Sequence, residues 1–155
     1  MLDKQYYMFK KRENVADIEE GSLLSPKFDN DGLIPVITTC SKTKEILMHG
    51  YMNVEALKLT IETKEAHYWS RSRKIIWHKG ATSGFIQKVK EIRIDDDQDA
   101  IWVRVETKAS CHVGYNSCFY RSIPLKKGKI KMIFKEKKTF DAKKIYKGMP
   151  NPTKV

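Results

Sequence analysis

Ala100-Ile101-Trp102-Val103-Arg104-Val105-Glu106 alternates apolar with larger or polar residues. In an extended chain Ile101, Val103 and Val105 share one face, and Trp102 and Arg104 share the other. The stretch therefore predicts a strand with one face in a core and the other at an interface or a wetter surface. Toward the N-terminus lie further short runs of β-formers: Ile86 to Ile94, Ile75 to His78, Ala66 to Ser70, Glu45 to His49 and Leu33 to Thr39. The last two are separated by Ser41, Lys42, Thr43 and Lys44, which suits a hairpin. One helix interrupts the pattern. Asn53 can cap it, Glu55 sits in its first turn, Lys64 stands near its end, and Val54, Leu57 and Ile61 form its apolar stripe. A last core strand is expected after Cys118, and Lys129 to Lys135 adds another. The sum is an α+β domain, mainly antiparallel sheet with one short helix.

A chain of 155 residues with 41% hydrophobic and 32% charged residues suits one core rather than two. The expected organisation is an N-terminal extension over residues 1–27, a core over 28–123 and a Lys-rich C-terminal extension over 124–155. Met1 to Glu20 contains no apolar signal segment, and no run approaches a membrane span, so a cytoplasmic location is expected and a membrane partner is not. Three cysteines make an odd count, which favours buried or ligating thiols over a disulfide framework. The net charge of +11 invites a nucleic-acid reading. From Lys126 onward, however, eleven lysines face only Glu136 and Asp141, so nine of those charges sit in the last thirty residues. Such a tail reads as a solvated extension, and without an RNA-binding signature nucleic acid is not the expected partner.

Three clusters could carry chemistry. Asp95, Asp97 and Asp99 project from one face if their segment is extended, and three close carboxylates call for a hard cation such as Mg²⁺. The plain alternative is a solvated acidic turn. Cys111-His112 and Cys118 bring two thiols seven positions apart around Gly114, which suits Zn²⁺ with an imidazole to move protons. Equally, two unoxidised cysteines can be core residues. Finally, Ser70, Arg71 and Arg73, followed by Lys79, Gly80, Thr82, Ser83 and Gly84, offer the forks, hydroxyls and backbone donors that hold a phosphate. Ordinary hairpin turns use the same residues.

Together and in this order these stretches resemble the phosphoribosyl-AMP cyclohydrolase family. The resemblance runs from about Phe28 to Arg121. It is carried by Gly32 to Ile37, Leu47-Met48, Tyr51 to Asn53, Glu55 to Leu57, Tyr68 to Arg73, Trp77 to Gly80, Thr82 to Gly84, Asp97 with Asp99-Ala100, Cys111-His112, Gly114 and Ser117 to Arg121. It implies hydrolysis of the N1–C6 bond of the adenine ring of 1-(5-phosphoribosyl)-AMP, a step of histidine biosynthesis, by a metal-activated water. It also implies Cys111 and Cys118 as zinc ligands, His112 as the catalytic proton carrier and Asp95, Asp97 and Asp99 as Mg²⁺ ligands. Ser70, Arg71, Arg73, Lys79, Gly80, Thr82, Ser83 and Gly84 would meet the substrate, a small phosphorylated nucleotide. An intertwined homodimer would share its sites across the interface.

Two positions depart from that pattern. The family motif Asp-Cys-Asp-x-Asp has its third zinc ligand where this chain has Asp96, which implies a Cys₂Asp site or another transition metal there. Cys40 is an alternative third thiolate or a small buried residue. Ala81 replaces a usual Glu in the substrate loop. A paralogue acting on a different purine nucleotide, or a catalytically inactive nucleotide-binding module, would share most of these residues.

Overall fold

The computed structural model describes residues 8–155, so the first seven residues of the expected N-terminal extension lie outside it. Helix α1 (Val15–Glu19) precedes β1 (Ile34–Cys40), β2 (Ile46–Met52), α2 (Val54–Thr63), β3 (His67–Ser70) and β4 (Ile75–His78). Then come β5 (Lys88–Ile94), β6 (Ile101–Glu106), β7 (Arg121–Ser122), β8 (Ile133–Phe134) and α3 (Ala142–Ile145). No helix among the described residues is long and apolar enough to cross a membrane.

The alternation in β6 is realised: Ile101, Val103 and Val105 are buried, while Trp102 and Arg104 are partly exposed on the opposite face. β6 lies inside a four-stranded sheet of order β2-β1-β6-β5. β1–β2 and β5–β6 are antiparallel, as expected, but the central β1–β6 pair is parallel. The parallel pair is possible because the chain between them is long enough to cross over, carrying α2 and the β3–β4 hairpin. Ile34, Val36, Leu47, Met48 and Met52 join the β6 side chains, and Leu57, Ala66 and Tyr68 cover them. Each fully buried aliphatic side chain contributes about 1.5–3 kcal/mol.

Asn53 caps α2 by accepting the Ala56 N–H at 2.8 Å. The buried stripe is Ala56, Leu57 and Thr60, with Ile61 packed beside it. Val54 is 40% exposed and lies off that stripe, so the expected Val54–Leu57–Ile61 face is rotated by part of a turn. Thr60 accounts for the rotation. Its hydroxyl reaches the Ala56 carbonyl at 2.8 Å, and its oxygen accepts the His67 N–H at 3.0 Å, locking α2 to β3.

Beyond Cys118 the expected core strand shrinks to β7, paired with β8 alone in a two-stranded ladder. Ile133 and Phe134 are half-exposed or more, because this ladder backs onto the Cys111–Cys118 loop and not onto the main core. The lysines of the C-terminal extension are exposed.

Candidate active site

The loop from Ser110 to Cys118 is closed by its own backbone. Ser110 N–H donates to Asn116 O, Cys111 N–H to Tyr115 O and Gly114 N–H to Cys111 O, each at 3.1 Å. Its far end is tied to β2: Cys118 N–H donates to Leu47 O at 2.8 Å, and Ser117 Oγ donates to Ile46 O at 2.6 Å. These ties bring the two thiols together. Cys118 donates to the Cys111 sulfur, which holds Cys111 down to about 6, helped by the Val113 and Tyr115 N–H groups and the Lys79 cation and opposed by burial. The shared proton pushes Cys118 well above the usual thiol range. Two adjacent sulfurs, with Cys111 lowered by its neighbours, make a donor set suited to a thiophilic cation.

His112 lies between them in sequence and is kept neutral, first by burial and second by Lys79, with Asn151 acting in the opposite sense. Its Nε2 is buried and has no hydrogen-bond partner among the described residues. A buried polar atom left without a partner is costly, so an orphan of this kind marks a place where a ligand or water belongs. Cys111 is buried and Cys118 exposed, so the site is walled on one side and open on the other.

Behind this loop runs a buried polar chain that sequence reasoning missed. Thr38 Oγ1 and the Tyr68 hydroxyl are 2.6 Å apart, Tyr68 donates to Gln87 Oε1 at 2.6 Å, and Gln87 Nε2 donates to Ser110 Oγ at 3.1 Å. Lys79, only 4% exposed, donates to the Ser110 carbonyl at 2.7 Å. The one visible signal was a glutamine inside the apolar run Phe85-Ile86-Gln87. Burial lowers the Lys79 ammonium and raises the Tyr68 phenol. Lys79, expected among the substrate-binding residues, turns its ammonium inward to the Ser110 carbonyl next to Cys111.

The acidic segment is a turn and not an extended strand. Asp95 Oδ1 accepts the Asp99 and Ala100 N–H groups at 2.9 and 3.0 Å, and Gln98 takes a left-handed conformation with φ of 58°. The turn still gathers Asp95, Asp97 and Asp99, with ligand atoms all within 4.8 Å. Asp99 is pushed up first by desolvation and then by Asp95 and Asp97. Among the described residues this is the one group of three His, Cys, Asp or Glu that converges so closely. Asp96 is exposed and stands apart from the thiols of its own chain, and Cys40 is half-buried without joining them.

Around the β3–β4 turn, Arg73 Nε donates to Ser70 Oγ at 3.2 Å, and the Arg71 guanidinium stacks 4.2 Å from the Tyr51 ring centroid. Both arginines are exposed. In the next loop Gly84 N–H donates to Gly80 O at 2.8 Å. Gly80 has φ of 91°, and a Cβ there would strike the Phe85–Ile86 backbone, so only glycine fits. Thr82 is exposed, Ser83 half-buried, and Ser83 Oγ accepts the Phe85 N–H at 3.2 Å. The turn and the loop expose donors at opposite ends of β4, with Lys79 turned inward.

The family profile described as phosphoribosyl-AMP cyclohydrolase matches residues 48–120, which span α2, the acidic turn and the whole thiol loop. A phosphoribosyl-AMP cyclohydrolase of Rhodopseudomonas palustris (strain TIE-1) is 57% identical over 109 residues, covering 69% of this chain and 72% of its own. Those of Rhizobium etli (strain CIAT 652) and Sinorhizobium medicae (strain WSM419) are 49% and 45% identical over 138 residues. Each of these alignments covers 86% of this chain, and they cover 92% and 91% of the relatives' own lengths. With this identity over most of both chains, and with its thiols and acidic turn in place, the chain belongs to the phosphoribosyl-AMP cyclohydrolase family.

Proposed function

We infer that this chain hydrolyses the N1–C6 bond of the adenine ring of 1-(5-phosphoribosyl)-AMP, in the cytoplasm, as a homodimer whose two sites each draw residues from both copies. The observation that carries the reading is that one loop brings Cys111 and Cys118 together beside His112, whose buried Nε2 has no hydrogen-bond partner among the described residues.

These residues fit zinc. Cys111 and Cys118 would hold it, and Asp95, Asp97 and Asp99, which converge in one turn, would hold Mg²⁺. Zinc, when bound there, supplies a Lewis acid that makes water nucleophilic at neutral pH. Among the described residues, one chain brings no third His, Cys, Asp or Glu into a cluster with its two sulfurs, and the exposed Cys118 leaves that side open. Asp96, exposed in its own chain, is free to complete the site of a second copy.

The chemistry asked of the protein is modest. Water oxygen bonds to C6, the C6–N1 bond breaks, and the oxygen becomes that of a carboxamide while N1 leaves with a proton. His112, neutral at working pH, can take the water's proton on Nε2 and return it at N1. Arg71, Arg73 and the donors of Thr82 to Gly84 lie on exposed turns suited to the two phosphates.

An ultraviolet assay of ring opening tests this. His112→Ala should lower kcat by about 10²–10⁴-fold with little change in KM. Turnover within a factor of two of wild type would refute His112 as the proton carrier.

A further inference from the structure

The lysine-rich C-terminal extension is not free in solution over its whole length. Between residues 133 and 140 it touches the thiol loop at one point after another. β8 pairs with β7 just past Cys118, and Lys135 N–H donates to Tyr120 O at 2.9 Å. Thr139 N–H donates to the Gly114 carbonyl at 2.8 Å, and Thr139 Oγ1 donates to Asn116 Oδ1 at 3.0 Å. Phe140 packs edge-on against Phe85 with ring centroids 4.8 Å apart, which ties the segment to the strand-side wall of the site. Tyr115 and Tyr120 stack at 3.7 Å, and Phe134 extends that stack at 6.0 Å.

Gly114 records how close the approach is. Its φ is 114°, and a Cβ there would lie 2.8 Å from the Phe140 carbonyl oxygen. The loop and the segment are thus shaped to each other at the residue midway between the two thiols. By contrast, the side chains of Lys126, Lys127, Lys129 and Lys131 are exposed and make no hydrogen bond or ion pair with the described residues.

We propose that residues 133–140 form a positioning strap that holds the Cys111–His112–Cys118 loop in its metal-binding shape. The C-terminal extension is on this account part of the catalytic unit and not a nucleic-acid-binding appendage. The inference rests on the reading that Cys111 and Cys118 are the metal ligands, but its first test needs no metal. A loop of eight residues carries its own entropy, and the strap reduces the alternatives open to it. Groups that orient ligands from outside commonly change metal affinity or activity by about 10–100-fold when removed.

The test compares wild type with Phe140→Ala, Thr139→Pro, which deletes the N–H given to Gly114, and Phe140→Leu as a conservative rescue. Hydrogen exchange of the Ser110, Cys111 and Gly114 amides is read first, on metal-free protein. Phe140→Ala and Thr139→Pro should speed it by about ten-fold or more, with β1 and β6 amides unchanged, and Phe140→Leu should restore most of the protection. Thiolate-to-cobalt charge-transfer absorption on titration with Co²⁺ is read second. Cobalt binding should weaken by about 10–100-fold in the two disruptive variants. A combined Lys126, Lys127, Lys129 and Lys131 to Gln variant should match wild type in both readouts.

Unchanged exchange in both disruptive variants overturns the strap. So does faster exchange across β1 and β6 as well, which would make the segment a general stabiliser. If wild type gives no thiolate-to-cobalt band, the ligand assignment fails on its own, and the exchange result still decides the strap.

Discussion

Lys79 Nζ donates to the carbonyl oxygen of Ser110 at 2.7 Å, so a buried cation is fixed directly beneath the residue that precedes Cys111. A buried ammonium is tolerated only when paired, and here its partners are the Ser110 carbonyl and the nearby Cys111 and Cys118 sulfurs. Lys79→Met removes both pairings while keeping the volume. The expected cost is about 1–3 kcal/mol from the carbonyl left unpaired, read as a lowered chemical denaturation midpoint. In steady-state kinetics kcat should fall while KM for phosphoribosyl-AMP stays within about a factor of three, because the group shapes the thiols and does not grip a phosphate. A large rise in KM at constant kcat would return Lys79 to the phosphate.

Asp99 titrates above its own ordinary value, pushed up first by desolvation and then by Asp95 and Asp97. The folded turn therefore holds on to a proton more strongly than the unfolded chain does. Metal-free stability should fall as pH rises from the unfolded value near 3.8 through the folded one, and remain reduced at neutral pH. Asp99→Asn should abolish that loss, stabilising the metal-free protein at pH 7 but not below the unfolded value. Thermal unfolding with and without Mg²⁺ checks it: Mg²⁺ should raise Tm in wild type and have little effect in the variant.

Gln98 binds the acidic turn to the N-terminal segment. Its Oε1 accepts the Ser25 N–H at 2.7 Å, its Nε2 donates to Ile18 O at 3.0 Å, and Arg12 donates to Asp97 O at 2.8 Å nearby. Gln98→Ala should destabilise by about 1–3 kcal/mol and free the amides of residues 12–25 to exchange, since a buried N–H and a carbonyl lose their partners. Exchange at the wild-type rate would show that the Arg12 and Lys27 hydrogen bonds and the apolar contacts hold this segment without the Gln98 side chain.

Much of the fold could be read from short alternations, because one-sided burial leaves a period of two in β6 and a cap before α2. The parallel β1–β6 pair could not, since strand direction depends on a crossover and leaves no local mark. Within the site, Cys111, His112, Cys118 and the aspartates were legible as a set of residue types at close spacing. Lys79 was legible as a cation but not as a buried one, because only the three-dimensional position of Ser110 explains its burial. The Thr38–Tyr68–Gln87 chain and the strap escaped notice for the same reason: their partners lie far off in sequence, and a lysine-rich stretch looks solvated even where its backbone is docked.

Asp96 offers a direct probe of a site completed by a second copy. A thiolate is a better zinc donor than a carboxylate, so Asp96→Cys should raise zinc retention after dialysis against a chelator. An unchanged zinc content would mean that position 96 does not touch the metal in either copy.

The central assignment is tested most directly by elemental analysis of protein stripped with a chelator, reloaded with one equivalent of zinc per chain and freed of unbound metal. Wild type is predicted to retain close to one zinc per chain, and Cys111→Ser and Cys118→Ser to retain almost none while keeping their fold. Full zinc occupancy in both serine variants would contradict it.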